Sequence, residues 1–325
     1  MEIMQIFLKF VGLLCLALGL AFVFGPREPF DGEVTFDQSL IVDDLDQYLI
    51  GQESKFSDIR RGLNKQFIWH GKRGEKTDIA MIYLHGFSAS LAEVRPVPDL
   101  AAKALGAKLY YTRMKGHGRT SNAMAEANAD DWLNDTAEAL AIGARLGKKV
   151  IVVSTSTGGS LAAYLHAHKG EWGELIAGHV MISPNFGLAD PTSALLSFPF
   201  ARQFVPLILG PMRGRTSSNP SVQHVWTIPH ATSALMPLAR ITDEANEAPL
   251  ENIDGPILVF RSSKDKTVSP KATSAAIKRM GGTVEEILID QSGHRNHHVL
   301  AGDALSPRTN ELVTDAIIEW VKRLK

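Results

Sequence analysis

Cysteine is almost absent from this 325-residue chain, where Cys15 stands alone. One thiol excludes an internal disulfide framework and any cysteine-based zinc or iron–sulfur centre. A charge excess is missing as well: 34 Lys and Arg oppose 35 Asp and Glu, whereas a nucleic-acid binder ordinarily carries a basic excess or stripe. With 27 Gly and 16 Pro the chain is too poor in both to be collagen-like or of low complexity. Past Pro29 it shows no repeat, no charge block and no Ser/Gly linker. What these absences leave is an enzyme or binding fold of one large or two modest domains, with 45% hydrophobic residues to fill its core.

The N-terminus departs from this even composition. Residues 10–25 are wholly apolar or glycine, residues 6–8 extend the run across Lys9, and Pro26-Arg27-Glu28-Pro29 stops it. A helix needs about 20 apolar residues to span a bilayer, a length this run reaches when Lys9 snorkels to the interface. Residues 1–25 therefore read as an uncleaved transmembrane anchor, with a signal peptide cut near Gly19-Leu20-Ala21 as the competing reading. Leu14 before Cys15 argues against a lipoprotein signal. Lys9 and the amino group precede the run while Arg27 follows it, a weak bias that favours the folded domain on the non-cytoplasmic side. Residues 26–60 read as a juxtamembrane segment and 61–325 as the domain.

Within that domain short β-rich runs alternate with helical ones. Strands are expected at 79–84, 108–112, 150–153, 179–182, 257–260 and 284–289. Helices are expected at 129–146, 161–168 and 309–324, the last with Leu312, Val313, Ala316, Ile317, Trp320, Val321 and Leu324 on one stripe. This alternation predicts an α/β fold with a mostly parallel sheet covered on both faces. Residues 186–250 break the rhythm with Pro, Phe and Leu and no clear strand, and read as a helical cap over the carboxyl edge of the sheet.

The strongest chemical signal is Val150-Ile151-Val152-Val153-Ser154-Thr155-Ser156-Thr157-Gly158-Gly159, followed by a helix-forming run. A strand, a sharp turn with serine at its apex and a helix make a nucleophile elbow, with Ser156 the nucleophile. Gly158 supplies the small residue needed two positions after it, and Ser154 replaces the usual glycine two positions before. A phosphate-binding loop would need a Lys in the turn, which is missing. The amides of Thr157 and of Phe87, in the loop Leu84-His85-Gly86-Phe87-Ser88, are the candidate oxyanion donors, and His85 reads as structural. Asp265 follows the 257–260 strand and His294 follows the 284–289 strand, which gives the order serine, acid, base. His297 and His298 are alternative bases that follow the strand less directly, and Asp190 is an alternative acid. No carboxylate-rich motif accompanies these histidines, so neither metal nor other cofactor is expected.

LHGFSAS at 84–90, Arg113-Met114-Lys115-Gly116-His117-Gly118, Asp131-Trp132, STSTGG at 154–159, the 262–268 segment and SGH at 292–294 occur in that order. Together they resemble the α/β-hydrolase superfamily, and most of all its bacterial carboxylesterase and monoacylglycerol-lipase branch, over roughly residues 60–325. The resemblance implies a serine hydrolase working through an acyl-enzyme, with Ser156, Asp265 and His294 as triad, Phe87 and Thr157 as oxyanion donors, and His117 in a structural loop. It leaves open thioester, amide or carbon–carbon hydrolysis, and a membrane-tethered binding module that kept the fold. The apolar cap (Leu195, Leu196, Phe198, Phe200, Phe204, Leu207, Ile208 and Leu209) beside an anchor suggests a hydrophobic, lipid-derived ester as the small-molecule partner, with the membrane as the other partner.

Overall fold

The β-rich runs form a seven-stranded sheet in a computed structural model that describes residues 2–324. In chain order its elements begin with α1 (Glu2–Phe24), α2 (Leu45–Glu53), β1 (Gln66–Ile68), β2 (Thr77–Leu84), α3 (Val97–Leu105) and β3 (Lys108–Tyr111). Then come α4 (Ala129–Leu146), β4 (Gly147–Thr155), α5 (Thr157–Ala167) and β5 (Ile176–Ile182). The insertion holds α6 (Ala201–Leu209), β6 (Met212–Arg213), α7 (Pro220–Val225), β7 (His230–Ala231) and α8 (Leu235–Glu247), and β8 (Ile257–Arg261), α9 (Pro270–Arg279), β9 (Val284–Leu288) and α10 (Asn310–Arg323) complete the chain. Strand order is β1-β3-β2-β4-β5-β8-β9, parallel except for β1, which pairs with β3 in the antiparallel sense.

Each long strand buries both faces because its side chains alternate between two cores. Ala80, Ile82, Leu84, Val150, Val152, Ile257 and Val259 pack on one side with α4, α5 and α8. Ile79, Met81, Tyr83, Ile151, Val153, Leu258 and Phe260 pack on the other with α3 and α10. That two-sided burial is why these strands read as unbroken hydrophobic runs. The edge strand β9, half-exposed as VEEIL, instead shows an Arg261–Glu286 pair on its surface. At the start of α4, Asn128 and Asp131 form a reciprocal capping box, which fixes the helix where its apolar period begins.

Two segments behave differently from a simple tether and lid. Ile41, Leu45, Tyr48 and Leu49, from the stretch between α1 and the sheet, belong to the main core, and the Tyr48 hydroxyl donates to buried Glu138 at 2.8 Å. Residues 26–60 are thus packed onto the domain. In the insertion, a two-residue antiparallel ladder joins β6 to β7 where no strand is expected, and Ile241 and Ala245 of α8 reach the main core. Helix α1 buries none of its residues and has a stretch of mean hydropathy 2.5, long and apolar enough to cross a bilayer. Its end is fastened to the cap: Phe22 meets Phe198 edge-on at 5.4 Å, Arg27 Nη1 donates to Ser197 O at 2.8 Å, and Arg202 grips Glu28 with two hydrogen bonds.

Candidate active site

Ser156 closes β4 and opens α5, at the centre of the sheet's carboxyl edge. Its backbone is held at φ 50°, ψ −114°, a conformation costing about 1–3 kcal/mol for a side-chain-bearing residue. The surroundings keep it there: Ser156 N donates to Ile182 O at 3.0 Å, and Ser156 O accepts from Asn185 N at 3.2 Å. A Cβ on Gly158 would lie 2.2 Å from Leu84 O, so the turn tolerates only glycine there. Ser154 occupies the other small position inside β4, its hydroxyl facing Val180 O at 3.4 Å, and leaves room for the turn.

The loop after β2 carries Phe87. Gly86 O accepts from His85 Nδ1 at 2.9 Å and from Ala89 N at 3.2 Å, which clamps one side of the Gly86–Phe87 peptide. In a trans peptide N–H opposes C=O, so the clamp turns the Phe87 amide the other way. Among the described residues no acceptor takes that amide. His85 Nε2 accepts from Met114 N at 3.1 Å, which leaves the proton on Nδ1, and burial pushes its pKa down to about 4. His117 is likewise buried, edge-on to Phe87 and Trp132 and bonded to Lys115 O, and burial holds it well below the usual imidazole range. Both are structural supports of the loop.

Asp265 lies buried after β8. Its Oδ1 accepts from Thr267 N at 2.7 Å and Val268 N at 3.0 Å, which aims Oδ2 at an imidazole 2.8 Å away. That imidazole belongs to His298, and the expected pairing with His294 does not form. His294 Nδ1 instead accepts from Val299 N at 3.0 Å, and burial, reinforced by the nearby His298, lowers its pKa to about 4. The physical reason is an extra turn. After β9 the chain folds back through a His297 N to His294 O bond, with His297 at φ 53°, before His298 arrives at the sheet edge. Ser183 Oγ donates to His298 O at 2.7 Å and fixes that arrival. Because Nδ1 donates to Asp265, Nε2 of His298 keeps the lone pair a base requires. Asp190, the alternative acid, spends one carboxyl oxygen capping Thr192 on the surface.

Ser156, Thr157, Phe87, His294 and His298 line one cavity of about 410 Å³. Its apolar wall comes from Leu188, Val222, Trp226, Ile228 and Leu238 of the insertion, and Arg60 holds that wall through carbonyls of Gln223, His224 and Trp226. The cap residues singled out from sequence lie elsewhere. Leu196 forms a small core with Val205, partly supported by Phe204, and Leu195, Phe198, Phe200, Leu207, Ile208 and Leu209 are exposed. One further acid sits in the cavity. Glu93, 2% exposed, accepts from Gly86 N at 2.8 Å and from the Tyr83 hydroxyl at 3.1 Å. Its signal in sequence is faint: a single acid between Ala92 and Val94, eight positions past His85.

Comparison with known proteins accords with this geometry. The model of the alpha/beta hydrolase family matches residues 81–306. A thermostable monoacylglycerol lipase of Bacillus sp. (strain H-257) is 25% identical over 214 residues, covering 66% of this chain and 81% of that protein. A solved structure of the metagenome-derived lipolytic enzymes LipS and LipT superposes with a TM-score of 0.65 at 21% identity, over 82% of this chain and 99% of that one. A soluble variant of the Saccharomyces cerevisiae monoglyceride lipase gives 0.60 at 12%, over 81% and 92%. The chain belongs to the alpha/beta hydrolase family.

Proposed function

We propose that this protein is a serine esterase that cleaves hydrophobic, lipid-derived esters through an acyl-enzyme. The observation that carries the reading is the buried Asp265–His298 bond opening onto the same cavity as Ser156, Phe87 and Thr157. His298 Nε2 takes the Ser156 proton as Oγ attacks the ester carbonyl, and the oxyanion meets the Phe87 and Thr157 amides. The imidazolium, held by Asp265, returns its proton to the departing alcohol. Water then attacks the acyl-enzyme with the same imidazole as base and releases the acid. The largely apolar cavity favours a hydrocarbon acyl group, and its volume falls within the ordinary range for small-ligand sites.

Helix α1 serves as the anchor, with the domain on the non-cytoplasmic side. Its fastening to the cap, next to exposed Leu207 and Ile208, supports a cap that faces the lipid from which substrate arrives. The test uses the full chain in detergent, with and without Ser156→Ala, against p-nitrophenyl esters from acetate to palmitate and a fluorophosphonate probe. Ser156-dependent turnover and labelling are expected, with activity rising as the acyl chain lengthens from acetate. Labelling without ester turnover would move the reading to amides or thioesters. A folded protein giving neither signal would refute the enzyme and favour a binding module.

A further inference from the structure

Glu93 is the acid in the cavity that the reaction does not use. Burying a carboxyl group demands a reason, because desolvation costs several kcal/mol unless partners compensate. Among the described residues Glu93 makes no ion pair, and its carboxyl group meets the Gly86 amide, the Tyr83 hydroxyl and the Trp226 side chain of the cap. Glu93 Oε2 holds the Gly86 amide, the peptide just before the one whose N–H is the oxyanion donor. The same oxygen takes the Tyr83 hydroxyl, which in turn shares a 3.0 Å bond with Thr155 Oγ1, the residue before the nucleophile. The crowding is tight: a Cβ on Gly86 would lie 2.9 Å from Glu93 Oε1 and 3.3 Å from Ser156 Cβ. One carboxyl group thus ties the oxyanion loop to the nucleophile strand from beneath.

We propose that Glu93 is a positioning residue for the oxyanion hole, clamping the Gly86 amide so that the Phe87 amide stays aimed at the developing oxyanion. The inference rests on the esterase reading and goes beyond it, since that reading gives this acid no role. Burial pushes the carboxyl above the ordinary range, opposed first by the Gly86 amide and then by the charge of His298 and the Tyr83 hydroxyl.

Two substitutions test the clamp. Glu93→Ala removes the acceptor, and kcat should fall about 10- to 100-fold with little change in KM, part of the full cost of losing an oxyanion donor. Glu93→Gln keeps an acceptor oxygen for Gly86 and Tyr83, and should recover at least about tenfold of that loss. A residue that merely fills space would change the melting temperature and leave kcat in place. If Glu93→Ala fails to fold, Glu93→Leu, close to glutamine in size but without an acceptor, decides in its stead and should show the same loss of kcat. Full kcat in a folded Glu93→Ala or Glu93→Leu protein, or no recovery in a folded Glu93→Gln protein, overturns the proposal while wild-type labelling upholds the esterase. A wild-type protein without Ser156-dependent labelling overturns both.

Discussion

Replacing His298 and, separately, His294 by alanine puts to the test which of two nearby imidazoles, both in the same cavity, moves the proton. His298 donates Nδ1–H to Asp265 and keeps Nε2 free. On the proposed mechanism its loss removes the base and should lower kcat on the order of 10⁵-fold or more, equivalent to about 7 kcal/mol of barrier. Asp265 keeps its two backbone donors, Thr267 and Val268, so the variant should still fold. His294 uses Nδ1 to accept from Val299 N, and a conjugate acid with pKa about 4 makes it a feeble base near neutrality. Its removal strands a buried amide at a cost of about 1–3 kcal/mol, which for a chain of this size lowers the melting temperature by on the order of 5 °C. Activity should stay within about tenfold, because only the loop carrying His298 loosens. The assay pairs steady-state hydrolysis of a p-nitrophenyl ester with thermal melts of each variant. Near-normal activity in His298→Ala together with its abolition in a folded His294→Ala protein would refute the geometric argument.

Other outcomes follow from the same packing. Gly158→Ala should lower the yield of folded protein or destabilise it by more than about 4 kcal/mol, since its Cβ would strike Leu84 O at 2.2 Å; denaturant melts check this. The fold holds His85 neutral with a pKa of about 4, so between there and its unfolded value near 6.5 only the unfolded chain takes up the proton. Stability should therefore fall by about 3 kcal/mol as pH drops through that window, and a His85→Gln protein should lack this portion of the slope in urea melts at successive pH values. Trp226→Ala should enlarge the cavity and shift the acyl-chain preference toward bulkier esters, read from kcat/KM across the ester series. An uncleaved α1 should keep the full-length chain in the membrane pellet after alkaline carbonate extraction. Recovery of a shortened, soluble chain would instead identify a cleaved signal.

The sequence by itself determined much of the scaffold and the turn that presents Ser156, because those features are written in local patterns. Runs such as VIVV and ILVF suit strands buried on both faces, and α4 begins just after its Asn128 cap, where the capping box and the apolar period coincide. The Ser156 elbow is equally local, since strand, tight turn and helix are consecutive and Gly158 is demanded by the turn itself. Only the tertiary structure decided which histidine meets Asp265. A loop's path depends on what it packs against, and here one additional turn carries the chain past His294 and delivers His298, held by Ser183 from a distant strand. The three-residue strand β1, too short to show a period, was hidden for a related reason, its identity resting on its partner β3. The cavity wall and Glu93 were hidden as well: which apolar cap residues face the serine, and which acid reaches the oxyanion loop, are facts about contacts between segments far apart in the chain.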